Sequence, residues 1–165
     1  MKKNKKNILV GILVLVMAFG LLGSTGIVSF FTGSKNSSLS TRELAMSCTL
    51  DMYTQFHIHP QLKIIINGAP QTIPAGIGIS LACMHPLHTH DATGTIHVES
   101  PEQRDFTLGD FFAVWEKPFS NDQIFDSAAD ATHEIVMTVD GQPSQEFEQL
   151  VFKDKQQIVV EYKKK

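Results

Sequence analysis

Six of the seven histidines in this 165-residue chain fall between residues 57 and 97, and most are spaced as His-x-His. The runs are Phe56-His57-Ile58-His59-Pro60, His85-Pro86-Leu87-His88-Thr89-His90-Asp91 and Thr95-Ile96-His97-Val98-Glu99. In an extended strand, residues i and i+2 project from the same face. His57 and His59 then share a face opposite Phe56 and Ile58, and His97 and Glu99 share one opposite Ile96 and Val98. His88 and His90 repeat the spacing. Laid side by side, the three segments put His57, His59, His88, His90 and His97 on a common surface. Crowded imidazoles repel once charged, so the clustering has little structural value. Imidazole is, however, the commonest protein metal ligand. The pattern predicts a transition-metal site, with a pH-responsive histidine cluster as the alternative.

Four further residues are weaker ligand candidates. His85 is set apart from the alternating pair by Pro86 and Leu87, and Cys83 stands two residues before it. Asp91 and Glu99 suit a supporting role, in which a carboxylate accepts a hydrogen bond from a ligating ring and fixes its tautomer. Direct coordination by either is the other reading. Several neutral imidazoles suit zinc or copper better than iron. Carboxylates are too few for calcium or magnesium, which take oxygen shells.

The N-terminus places the rest of the chain. Lys2, Lys3, Lys5 and Lys6 precede a stretch without charge that runs to Lys35, apolar from Ile8 to Leu22 and again from Ile27 to Phe31. About 20 apolar residues cross a bilayer as a helix, and flanking lysines stay cytoplasmic. Residues 1–31 are therefore expected to be a basic tail and single-pass anchor. A signal peptide cleaved near Ser24-Thr25-Gly26 is the alternative and leads to a secreted protein. Either leaves the remainder extracytoplasmic. Residues 32–47 read as a flexible linker, rich in Gly, Ser and Asn at its start, and 48–165 as one domain. Beyond Thr41 there are nine Lys/Arg against seventeen Asp/Glu, a net of −8, which argues against nucleic acid and mildly favours cations. In an oxidising compartment Cys48 and Cys83 favour a disulfide; the competing role for Cys83 is thiolate ligand.

The elements that must position the histidines follow from turns and caps. Leu62–Ile66 is strand-like, Asn67-Gly68 is a hairpin turn, and Gln71–Ile79 is expected to return as a second strand, bulged at Pro74. The Cys83–Asp91 loop and a short strand over Gly94–Glu99 come next. A helix opens at Thr107, capped reciprocally with Asp110 and stapled by Phe106 and Phe111, and stops before Pro118. Ser120-Asn121-Asp122-Gln123 looks like a second capping box. Glu134–Val139, the turn Asp140-Gly141 and Gln157–Tyr162 complete the order. The fold class is α+β: a β-grasp-like mixed sheet with one main helix and a His-rich insertion. A small β-sandwich is the alternative.

Together, Phe-His-Ile-His-Pro, the run from Cys83 to Pro101 and Arg104-Asp-Phe-Thr-Leu-Gly-Asp-Phe-Phe resemble an uncharacterised family of membrane-anchored, extracytoplasmic prokaryotic proteins. The resemblance covers residues 55–162 and implies no established activity. Phe56-His57-Ile58-His59 also resembles the copper-binding Phe-His-Val-His of copper/zinc superoxide dismutases, but that family's later ligand spacings are missing. His88-Thr89-His90 is similar to the first cupin motif, without its glutamate. A cupredoxin needs Cys, His and Met in succession near the domain's end, and no Met follows His88 closely here. The expectation is a membrane-anchored copper or zinc binding protein for capture, buffering or delivery, its protein partner unspecified. The alternatives are a small metalloenzyme whose His-held metal activates water, with Glu99 or Asp91 as base, and an interaction module gated by histidine protonation. No Ser-His-Asp spacing, phosphate loop or His-Glu-x-x-His motif points to another chemistry.

Overall fold

Short β-branched runs punctuated by Asn-Gly and Asp-Gly give the described residues more strand than helix. The computed structural model describes residues 39–50 and 54–165. The expected anchor at 8–31, the lysines before it and the linker as far as residue 38 lie outside the described residues. Among the described residues no helix is long and apolar enough to cross a membrane. In chain order the elements are α1 (Thr41–Ala45), β1 (Phe56–Ile58), β2 (Gln61–Ile66), β3 (Ala69–Gln71), β4 (Leu87–His88), β5 (His97–Ser100) and α2 (Leu108–Val114). There follow β6 (Gln123–Ile124), β7 (Ser127–Ala128), β8 (His133–Val139), β9 (Gln142–Ser144), a 3₁₀ turn (Phe147–Gln149) and β10 (Gln157–Lys164). The domain is mixed α+β, mostly sheet.

Two hairpins frame the larger sheet. Asn67-Gly68 and Asp140-Gly141 all hold positive φ, as such tight turns require. They join β2 to β3 and β8 to β9. β10 runs between the hairpins, parallel to β2 and antiparallel to β8, which gives the order β3-β2-β10-β8-β9. Alternation along these strands sends Leu62, Ile64, Ile135, Met137, Ile158 and Val160 into the core. Leu87, Ile96 and Val98 of the histidine-bearing segments enter the same cluster, as do Leu108, Phe111 and Phe112 of α2. Burying each such large side chain contributes about 1.5–3 kcal/mol before entropy is set against it.

α2 forms as its punctuation predicts. The Asp110 N–H donates to Thr107 Oγ1 at 3.2 Å, and the Thr107 N–H donates to Asp110 Oδ2 at 2.8 Å. Phe106 and Phe111 are both buried, and Trp115 caps the C-terminus ahead of Pro118.

Three local expectations need correction. Part of the expected linker is helical: Ser40 and Glu43 form a capping box on α1, and Leu44 and Ala45 are buried. Arg42 anchors that helix by pairing with Asp110 at 2.9 Å. The strand expected over Gln71–Ile79 ends at Gln71, because Pro74 has no N–H for a ladder and Gly76 and Gly78 turn the chain at positive φ. The second capping box opens no helix; Gln123–Ile124 pairs instead with Ser127–Ala128 in a small hairpin whose bend holds Phe125 at φ 52°.

Candidate metal centre

β5 is the middle of a separate three-stranded sheet, ordered β1-β5-β4, and its neighbours bring the histidines to it. His57 lies opposite Glu99 across β1 and β5, and His88 lies opposite His97 across β4 and β5. Continuing the β1–β5 register by one residue sets His59 beside His97, and their ring centroids are 4.7 Å apart. The alternation argued from sequence therefore holds: Leu87, Ile96 and Val98 face the core while the imidazoles share the other face.

Backbone contacts outside the sheet fix these strands. The Leu62 N–H donates to the Gly94 carbonyl at 2.9 Å, and the Ile96 N–H donates to the Pro60 carbonyl at 2.9 Å, tying the approach to β5 onto β2. Gly94 holds φ +84°, and a Cβ there would collide with the Leu62 carbonyl oxygen, so both conformation and space demand glycine. The chain from Pro74 to Gly78 clasps the other side. Thr89 Oγ1 donates to the Pro74 carbonyl at 2.7 Å and accepts from the Ile77 N–H at 3.1 Å. Thr89 is thereby wholly buried between His88, which is 0% exposed, and the exposed His90.

Two overlapping groups result. Ligand atoms of His88, His90, His97 and Glu99 all lie within 4.8 Å of one another, and so do those of His57, His59 and His97. Bonds of about 2.0–2.1 Å in a tetrahedron hold ligand nitrogens about 3.3 Å apart. His88 Nε2 and His90 Nε2 stand 3.2 Å apart, so this pair already has the required bite.

The tautomers follow from hydrogen bonding. His88 Nδ1 is 3.0 Å from the His85 carbonyl, which can only accept, so His88 Nδ1 carries the proton and its Nε2 presents a lone pair to the cluster. That is the outer bond which orients a ligating ring. Without a cation, the His90 Nε2–H donates to that lone pair. Burial drives the His88 pKa down to about 4, against opposing pulls from the His85 carbonyl and Glu99, while His90 and His97 push it down further. The His97 pKa is also lowered, by burial first and then by His90 and His59. Both rings are thus neutral near pH 7, the form that binds metal. His97 Nδ1 is buried without a hydrogen-bond partner and lies 3.7 Å from Glu99 Oε1. Glu99 Oε1 is also 3.0 Å from His57 Nε2.

The weaker candidates separate cleanly. Cys83 is bonded to Cys48, with Cα atoms 5.3 Å apart, so it supplies no thiolate. His85 turns away: its Nδ1 donates to the Ala45 carbonyl of α1 at 3.2 Å. Asp91 stays exposed and holds a turn by accepting from the Thr93 N–H at 2.9 Å and from its hydroxyl; these bonds keep its carboxyl below the ordinary range. Glu99 alone of the two carboxylates joins the ligand group. One neighbour was not legible in the sequence. Asp154 accepts from the His59 N–H at 3.0 Å and lies 3.9 Å from its Nδ1, although it is 95 positions away. His133 stands apart, stacked on Tyr162 with centroids 5.0 Å apart.

No protein-family model, curated protein or solved structure matches the chain. The geometry of this histidine cluster, which can hold a metal ion, carries the functional reading by itself.

Proposed function

We propose that the domain is an extracytoplasmic copper or zinc binding module, tethered to the membrane through residues 8–31, that captures, buffers or delivers the metal. The observation that carries the reading is the convergence of His88, His90, His97 and Glu99, ligand atoms all within 4.8 Å, on a face built by three strands. Three imidazoles and one carboxylate make a nitrogen-rich set suited to these metals rather than to calcium or magnesium. Four protein donors complete a tetrahedral shell, as in sites that hold a metal, whereas catalytic sites keep a position open. At this four-donor group, that favours binding over water activation.

The same reading takes the larger sheet as a β-grasp layout, supported by the parallel β2–β10 pair between two hairpins. It retains the resemblance to membrane-anchored prokaryotic proteins, supported by the lysine-flanked apolar stretch. Elemental analysis of the full chain, purified in detergent after copper- or zinc-replete expression, tests the binding. Stoichiometric metal is expected, and a metal-free protein that takes up neither ion would refute it. Protease added outside intact cells tests the topology: the domain should be cut while the lysine tail is protected. A soluble product starting near residue 27 would show a cleaved signal peptide instead.

A further inference from the structure

The two ligand groups share His97. It stands on the central strand with His88 and His90 toward β4, and His57 and His59 toward β1. One imidazole from each group meets the His97 ring edge-on: His90 with centroids 4.5 Å apart and His59 at 4.7 Å. Its Nδ1 is the buried side-chain nitrogen left without a hydrogen-bond partner among the described residues. An unsatisfied buried polar atom is costly in a folded domain, and a bound cation removes that cost.

We propose that the centre takes two transition-metal ions, one on each side of β5, with the His97 imidazole shared between them. The inference rests on the metal-binding reading above and deepens it. One ion takes His88, His90, His97 and Glu99, and the other takes His57, His59 and His97. An imidazole has two nitrogens, and a neutral one offers a single lone pair. Binding both ions therefore releases the remaining N–H proton of His97 to solvent, and the ring becomes an anion that coordinates through both nitrogens. That negative charge matters, because two divalent cations held close together repel. Glu99, within reach of both His97 and His57, supplies a second negative charge between the groups, and Asp154 lies beside His59. The net −8 beyond Thr41 adds a favourable field for cations.

Titration of the metal-free full chain in detergent with Cu(II) alone, and separately with Zn(II) alone, tests the sharing. Two ions per chain are expected after gel filtration. The copper form should show a paramagnetic resonance signal well below that of two independent ions, since a shared imidazolate couples them. His57→Ala with His59→Ala should bind one ion with a full, uncoupled signal. Those side chains are 46% and 40% exposed, so the fold tolerates their loss. One ion per chain in the unaltered protein overturns the sharing and leaves the binding function intact. No ion overturns both. Two ions with full signal intensity mean separate sites, and again the sharing fails.

Discussion

His88 and His97 lie directly opposite each other on β4 and β5, with ring centroids 5.4 Å apart and planes inclined by only 16°. Stacked imidazoles tolerate each other while neutral, and protonating either charges a ring against its neighbour and against His90. His88 is also wholly buried. Packing, tautomer and proton affinity in this pair are therefore one property, and they keep both rings in their ligating form.

Acid should weaken the metal-free domain in a defined window. An unfolded histidine titrates near about 6.5, whereas the His88 pKa is pushed down to about 4 and that of His97 is also lowered. As pH falls, the unfolded chain binds these protons first. The stability is therefore complete above about pH 6.5 and is lost progressively toward about pH 4. The urea midpoint of the metal-free domain is expected to drop between about pH 7 and pH 5. A midpoint that holds constant there would show the rings to be hydrated in the native state.

Loss of one exposed ligand should weaken binding without unfolding. His90→Ala removes the partner of the 3.2 Å nitrogen pair from the exposed side of the cluster. Removing even an outer-sphere partner of a ligand costs about 10–100-fold in affinity, so at least that loss is expected for copper or zinc by competition titration. His88→Ala with His90→Ala should abolish binding at the group that includes Glu99, leaving no more than the ion assigned to His57, His59 and His97. The buried His88 also caps the His85 carbonyl, so circular dichroism must accompany that double variant. Parent-like affinity in His90→Ala would place the site elsewhere.

The disulfide is expected to stabilise the domain and to leave metal binding alone. Cys48 and Cys83 are 35 positions apart, and closing a loop of that size restrains the unfolded chain by about 3–4 kcal/mol in the entropy model. Cys48→Ser with Cys83→Ser should lower the unfolding free energy by about 2–4 kcal/mol, read by urea denaturation. Metal stoichiometry should not change. A lost metal equivalent would instead assign a thiolate to the shell.

Metal should stabilise a fold that exists without it. The core holds Ile64, Phe106, Phe111, Phe112, Ile158 and Val160, none more than 2% exposed and none a candidate ligand. Cooperative thermal unfolding of the metal-free domain is expected, with a midpoint that rises on adding Cu(II) or Zn(II). A hundredfold excess over the dissociation constant corresponds to about 2.7 kcal/mol. Absence of a cooperative transition without metal would make the histidines the structural centre.

Features set by neighbours along the chain were legible from the residues alone. His-x-His alternation assigned the imidazoles to one strand face because the period of a strand is two. Thr107 with Asp110, and Phe106 with Phe111, marked the start of α2 because caps and staples act within a single turn. Asn67-Gly68 and Asp140-Gly141 marked hairpins because they accept positive φ. Which histidines meet depends instead on how the strands assemble. His85 carries the same chemistry as His88, yet its ring goes to the Ala45 carbonyl and only its own carbonyl serves the cluster. Pro74–Gly78 read as strand, and its role is to clasp Thr89 beside His88. His97 became the shared centre because β5 pairs with β1 on one side and β4 on the other. Asp154 reached His59 across 95 positions through the turn that leads into β10. These outcomes depend on strand order and loop closure, which are settled by burial of the common core and leave no local signature.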